Sequence, residues 1–169
     1  LLRELELFAE RSAAAVLWSL PAAQQALLDH APSAAVRMEP FVAQWAVLAH
    51  PKVVAFATHC GANSVSEALL NGVPLVCCPG MADQPSNAAR AVSAGVGVLA
   101  TKGAAGPGIG PALEVVLADL PGFRARAGAM RETLLAAGGA QRGAVVVEEV
   151  MATHAAEGGA LPSLDHQSL

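Results

Sequence analysis

The sequence has no tyrosine, and aromatic residues supply only 4% of it. Charge is also sparse, at 14% of residues, with 10 Lys and Arg against 14 Asp and Glu. A net charge of −4 without any basic cluster argues against a nucleic-acid partner. No run of about 18 apolar, uncharged residues occurs, so no membrane-spanning helix is expected. No basic segment followed by an apolar one opens the chain. The first residue is Leu1, not Met, so a targeting segment would lie upstream of it. Cysteine is scarce too: Cys60, Cys77 and Cys78 are the only three. Their odd number and lack of framework spacing predict reduced thiols and a cytoplasmic protein. They are too few and too badly spaced for a zinc site.

Hydrophobic residues make up 54% of the 169, enough to build a packed core for one domain. Much of that content is alanine, which limits the large side chains available to fill it. Apolar and polar stretches alternate along the chain. Leu2, Leu5, Phe8 and Ala9 lie at helical spacing in residues 1–15, which predicts an amphipathic helix. Short strands are expected at 14–19, 35–38, 53–58, 73–78 and 96–100. Helices are expected at 42–50, 63–71, 84–94, 111–120, 122–137 and 140–154, with a helix or irregular connection at 22–34. Residues 53–58 do not alternate, which predicts a strand buried on both faces, as in a parallel sheet. Gly72 stands where a glycine closes a helix. Residues 102–110 are glycine-rich and read as a flexible loop, and 156–169 as a flexible tail. The alternation of strands and helices predicts an α/β fold, a Rossmann-like parallel sheet flanked by helices.

Two polar loops follow buried strands, at the sheet edge where open parallel sheets bind ligands. The first is His59-Cys60-Gly61-Ala62-Asn63-Ser64. A helix start offers open N–H groups and the positive end of a dipole, and Gly61 allows close approach to the backbone. His59, Asn63 and Ser64 can donate to phosphate oxygens. Ser64 and Glu67 equally match a capping box, which serves only the helix end. Glu67 is therefore either a cap or a carboxylate suited to two ribose hydroxyls. The second loop ends in Asp83 and Gln84. These either open the next helix, Asp83 being a fair N-cap, or accept and donate to sugar hydroxyls. Phe41 either packs in the core or stacks on a base, with Gln44 nearby. His50 reads as a helix-end contact, and Trp18 and Trp45 as core residues.

The ordered set resembles the nucleotide-sugar signature of the UDP-glycosyltransferase superfamily. The residues that carry it are Phe41-Val42-Ala43-Gln44, Leu48-Ala49-His50-Pro51, His59-Cys60-Gly61, Asn63-Ser64, Glu67, Gly72-Val73-Pro74, Pro79 and Asp83-Gln84. Asn87-Ala88 and Gly95-Val96-Gly97-Val98 match more loosely. The resemblance implies one half of a GT-B fold, with residues 1–155 as the donor-binding domain. It implies that this domain lacks its first strand and glycine-serine loop. It implies a UDP-sugar donor held without a metal: Phe41 on uracil, Gln44 at the base or ribose, and Glu67 on the ribose. His59, Gly61, Asn63 and Ser64 would hold the diphosphate, and Asp83 and Gln84 the sugar. The family's general base sits in an amino-terminal domain that has no counterpart here, so catalytic residues and acceptor contacts are expected outside this chain. The implied reaction is inverting transfer of a hexose to an acceptor hydroxyl. A donor-binding subunit of a split transferase, or a relic that keeps only the fold, stays open beside it. Phe41 stands where the plant signature has Trp, which implies a smaller stacking area and a looser hold on uracil; Ala62 also stands where that signature has Trp, so sugar choice cannot be carried over.

Overall fold

The computed structural model describes residues 1–101 and 108–156. Most of the glycine-rich loop and nearly all of the expected tail lie outside the described residues. The chain divides into two compact units, Leu1–Glu132 and Thr133–Leu169.

The first unit opens with α1 (Leu2–Ser12), whose Leu2, Leu5, Phe8 and Ala9 are all buried, as their spacing predicts. Then come β1 (Val16–Ser19), a short α2 (Ala22–Gln25), β2 (Val36–Glu39) and α3 (Gln44–Leu48). β3 (Phe56–Thr58), α4 (Ala62–Leu70), β4 (Leu75–Cys77), α5 (Gln84–Ser93) and β5 (Gly97–Leu99) follow. α6 (Ile109–Ala118) and most of α7 (Leu120–Ala136) come next. Gly72 and Gly95 both have positive φ, at +66° and +68°. After α4, Gly72 N–H donates to Leu69 O and Val73 N–H to Ala68 O. After α5, Gly95 N–H donates to Val92 O and Val96 N–H to Ala91 O. These are paired Schellman closures, and each turns a helix directly into the next strand.

All pairings are parallel, but the strands do not form the single sheet expected. β1 pairs with β2, and separately β3, β4 and β5 pair in that order. Among the described residues no strand joins β1 to β3. This also corrects the expectation for residues 53–58. Only Phe56–Thr58 is strand, and Ala57 is exposed, because β3 has a partner on one side only. The central β4 is buried along its whole length.

One core serves both sheets. Val36 of β2 and Val76 of β4 pack with Leu2, Leu5 and Phe8 of α1, Val116 of α6 and Phe123 of α7. Each fully buried side chain of this size stabilises by roughly 1.5–3 kcal/mol. Trp18 packs against this core, but Trp45 is 52% exposed and is not a core residue. α3 is short, and its single buried position is taken by Leu48.

α7 ties down the edge where the strands begin. Arg124 donates to Val53 O at 3.0 Å, Arg126 to Gly95 O at 2.6 Å and Arg131 to Leu70 O at 2.9 Å. These carbonyls precede β3, β5 and β4 in turn, so the carboxyl ends of the strands stay open.

A buried carboxylate pins α1 to the segment before β2. Glu6 meets His30 Nε2 at 3.1 Å and accepts from Ser33 N–H at 2.9 Å. The His30 bond, then the Ser33 bond, hold its carboxyl below the ordinary value of 4.5. A depressed carboxyl stabilises the fold above its unfolded pKa and loses that contribution as pH falls through the folded one. Glu6→Gln is therefore expected to flatten the loss of stability below pH 4.5, read by urea titration across the acid range. An acid limb unchanged by the substitution would show that Glu6 is not the titrating pin.

The second unit contains α8 (Gly139–Ala156), which follows a break at Gly138 and Gly139, both with positive φ. Arg142 and Glu149 pair along it at 3.1 Å. Among the described residues no helix is long and apolar enough to cross a membrane.

Candidate functional site

Three segments converge at the carboxyl ends of β2, β3 and β4. The first follows β3. Thr58 is buried, and its Oγ1 accepts from Cys60 N–H at 3.3 Å. Cys60 is itself fully buried and sits at φ +65°, a left-handed conformation that a non-glycine residue adopts only under constraint. Its neighbour across the strands is Cys77, whose thiol is held above its ordinary value, first by a hydrogen bond to Cys60 and then by burial. The thiols thus serve as packed core under the loop. The described residues contain no cluster of three His, Cys, Asp or Glu suited to a metal.

α4 starts at Ala62, with Gly61 in the N-cap position and no side-chain cap. Its first helical bond runs from Val65 N–H to Gly61 O. The N–H groups of Ala62, Asn63 and Ser64 precede that bond and have no partner in the helix ladder. The capping box does not form. Ser64 and Glu67 lie inside the helix, Ser64 three residues past the N-cap Gly61, too late to cap it. The φ of Gly61, −61°, does not call for glycine; its missing side chain instead leaves room for the His59 ring. A Cβ there would fall 2.5 Å from Nε2 of the exposed His59, whose ring lies over the helix start.

The second segment comes from β2 through α3. Gln44 Nε2 donates to Glu67 Oε2 at 2.8 Å and reaches Ser64 Oγ at 3.5 Å. Two residues far apart in sequence are thereby joined beside the open helix start. Phe41, just ahead of α3, is 81% exposed, which rules out the core-packing reading.

The third segment follows β4. Ala82 has φ +56°, and Gln84 opens α5. Gln84 Oε1 accepts from Gly80 N–H at 2.8 Å and Met81 N–H at 3.1 Å, which folds the loop on itself without using the Nε2 donors. Asp83 occupies the N-cap position of α5 but caps no backbone N–H. Its Oδ2 instead accepts from Asn87 Nδ2 at 2.7 Å, and the same nitrogen donates to Cys60 O at 3.1 Å.

Hydrogen bonds thus join the candidates on the three segments at the carboxyl ends of the strands, the rim of the site. Gln44, Ser64 and Glu67 lie at one side, with Phe41 just ahead of Gln44. His59, Gly61 and Asn63 form the middle, and Asp83 and Gln84 stand at the other side. Asn87 was matched only loosely. Its sequence signal is its place one helical turn after Asp83, where two side chains share a face. His50 is confined to a helix end, its Nδ1 accepting from Lys52 N–H at 3.2 Å. Two hollows lie apart from the rim. One of about 380 Å³ is lined by Leu17, Arg37 and Glu39, and one of about 260 Å³ by His50, Asn71 and Arg124. Neither gathers the donors and acceptors that the rim does.

Residues 4–124 match the family model described as UDP-glucoronosyl and UDP-glucosyl transferase. An anthocyanidin 3-O-glucosyltransferase of Zea mays is 38% identical over 133 residues, covering 75% of this chain and 28% of that protein. The crystal structure of the glycotransferase of kitacinnamycin superposes with a TM-score of 0.72 at 29% identity, over 85% of this chain and 37% of that one. That of UDP-glucose: anthocyanidin 3-O-glucosyltransferase in complex with UDP superposes with a TM-score of 0.68 at 30% identity, over 80% and 32%. These structures are GT-B glycosyltransferases, and the parallel strands flanked by helices share their α/β fold. The chain spans about three tenths of the length of the curated relative above.

Proposed function

This chain belongs to the UDP-glucoronosyl and UDP-glucosyl transferase family, and from that premise we propose that it is the donor-binding half of an inverting transferase that moves a hexose from a UDP-sugar to an acceptor hydroxyl. One observation carries the assignment: α4 begins with open N–H groups, flanked by the Gln44–Glu67 pair on one side and Asp83–Gln84 on the other. That order follows a nucleotide sugar from base to hexose.

In this assignment the exposed Phe41 ring stacks on uracil. Glu67, oriented by Gln44, accepts from the two ribose hydroxyls. The diphosphate lies across Gly61, with His59, Asn63, Ser64 and the α4 N–H groups as donors. Oδ1 of Asp83 accepts from one sugar hydroxyl, and Nε2 of Gln84 donates to another. A general base outside residues 1–169 removes the acceptor proton. The acceptor oxygen then forms its bond to the anomeric carbon as the bond to the β-phosphate oxygen breaks, and the electron pair leaves with UDP. The charge that develops on UDP meets the positive end of α4 and His59, so no metal is needed at the leaving group. His30 is held by Glu6 and His50 by the Lys52 backbone, so neither is offered as the base. Three cysteines with no disulfide among them suit a cytoplasmic setting.

Calorimetric titration with UDP and UDP-glucose tests the assignment. His59→Ala is expected to weaken UDP about tenfold, the worth of one charge-assisted hydrogen bond, and to leave uridine unaffected. Glu67→Ala should weaken uridine and UDP alike by about tenfold or more. Saturable UDP binding indifferent to both substitutions would sink the assignment. No binding at all by the folded chain would point to a relic of the fold.

A further inference from the structure

We propose that Asn87 is a positioning residue that locks the diphosphate loop and the sugar loop into one register, so that the sugar site is formed only when the α4 start is correctly aimed. The inference rests on the donor-site assignment and adds a residue to it. Both partners of the Asn87 side-chain nitrogen are acceptors, a backbone carbonyl and a carboxylate. The atom between them must therefore be the NH2 group, whose two hydrogens satisfy Cys60 O at 3.1 Å and Asp83 Oδ2 at 2.7 Å.

Each bond sets something a ligand would feel. The C=O and N–H of one trans peptide point opposite ways. Holding Cys60 O against α5 thus fixes the direction of Gly61 N–H at the mouth of the anion site. Cys60 has φ +65°, so its peptide needs an external hold to keep that direction. The second bond takes Oδ2 of Asp83 and leaves Oδ1 outward. Asp83 is exposed and follows Ala82 at φ +56°, so little else restrains its carboxylate. Asn87 is half-buried and anchored on α5, next to the buried Ala88. A rigid helix therefore carries the joint between two strained loops, while the ligand-facing atoms remain free.

The test compares Asn87→Ala and the isosteric Asn87→Asp with the unsubstituted chain. Asn87→Asp keeps the volume but sets a carboxylate against two acceptors. UDP binding should weaken about threefold and UDP-glucose binding about thirtyfold, because the α4 start persists while Asp83 is released. Adding Asp83→Ala to Asn87→Ala should bring little further sugar-specific loss, since both changes remove one interaction. Equal weakening of UDP and UDP-glucose, or additive effects in the double variant, would overturn the proposal in favour of a purely structural role. Hydrogen exchange of the ligand-free chain gives an independent reading. Asn87→Ala should speed exchange at the hydrogen-bonded N–H groups of Cys60 in the first loop and of Gly80, Met81 and Gln84 in the second, while α7 stays protected. Unchanged exchange at either loop would overturn the proposal even if the chain bound no nucleotide, an outcome that would count separately against the donor-site assignment.

Discussion

Gly61→Ala is expected to weaken UDP binding by about a hundredfold, the cost of losing one or two hydrogen bonds to a charged group. The backbone at Gly61, φ −61° and ψ 147°, is one that alanine adopts freely. The added Cβ would meet only the His59 ring, with Nε2 nearest at 2.5 Å. His59 is exposed and can swing aside, so the chain folds. An alanine N-cap is poorer than glycine and costs no more than about 1 kcal/mol. The functional cost is larger for two reasons. The methyl group occupies the surface where a phosphate would approach the α4 N–H groups, and the displaced imidazole no longer covers that surface. Uridine, which has no phosphate, should bind as before. Calorimetry with uridine and UDP, beside a urea titration, separates these effects. UDP affinity within threefold of the parent would remove the diphosphate from this helix start.

Leu75→Ala should cost about 2–5 kcal/mol, the range for a buried leucine that leaves a cavity. Leu75 is 0% exposed and lies on the central strand, paired with Phe56 on one side and Gly97 on the other. Its Cβ already lies 3.2 Å from where a Cβ of Gly97 would stand, so β5 is held close and has little slack to fill the gap. A loss of that size is a large share of the roughly 5–15 kcal/mol of a typical domain. The same strand carries the loop to Asp83 and Gln84, so donor binding should fall with the folded population. Equilibrium urea unfolding, with the slope compared to the parent, measures it. A loss under about 1 kcal/mol would mean that the site collapses around the smaller side chain.

Much of the fold follows from local signals. Leu2, Leu5, Phe8 and Ala9 lie one or two helical turns apart, and that spacing alone marks the buried face of α1. Gly72 marks the end of α4 because few other residues take φ +66° without penalty. Trp45 and Phe41 were harder. Both are large and apolar, and nothing local tells that α3 is too short to bury them. The even burial expected of residues 53–58 failed for a similar reason. Whether a strand has one neighbour or two depends on segments elsewhere in the chain.

The candidate residues were legible as types and as an order. What each one does was not. Ser64 and Glu67 satisfy the capping-box spacing, and only the start of α4 at Ala62 shows them three residues too late for it. Asp83 is well placed to cap, yet it turns to Asn87 instead.

The sequence by itself determined the parallel α/β class, the helix and strand positions and the polar residues available at the strand ends. These depend on side-chain period, on glycine at positive φ and on residue chemistry, all properties of neighbours in the chain. Tertiary structure alone decided the partners. Gln44 meets Glu67, Asn87 meets Cys60, and the α4 N–H groups stay uncapped. A hydrogen bond requires approach to about 3 Å and correct direction. Between residues more than twenty apart, only the packing of strands and helices into one core supplies both.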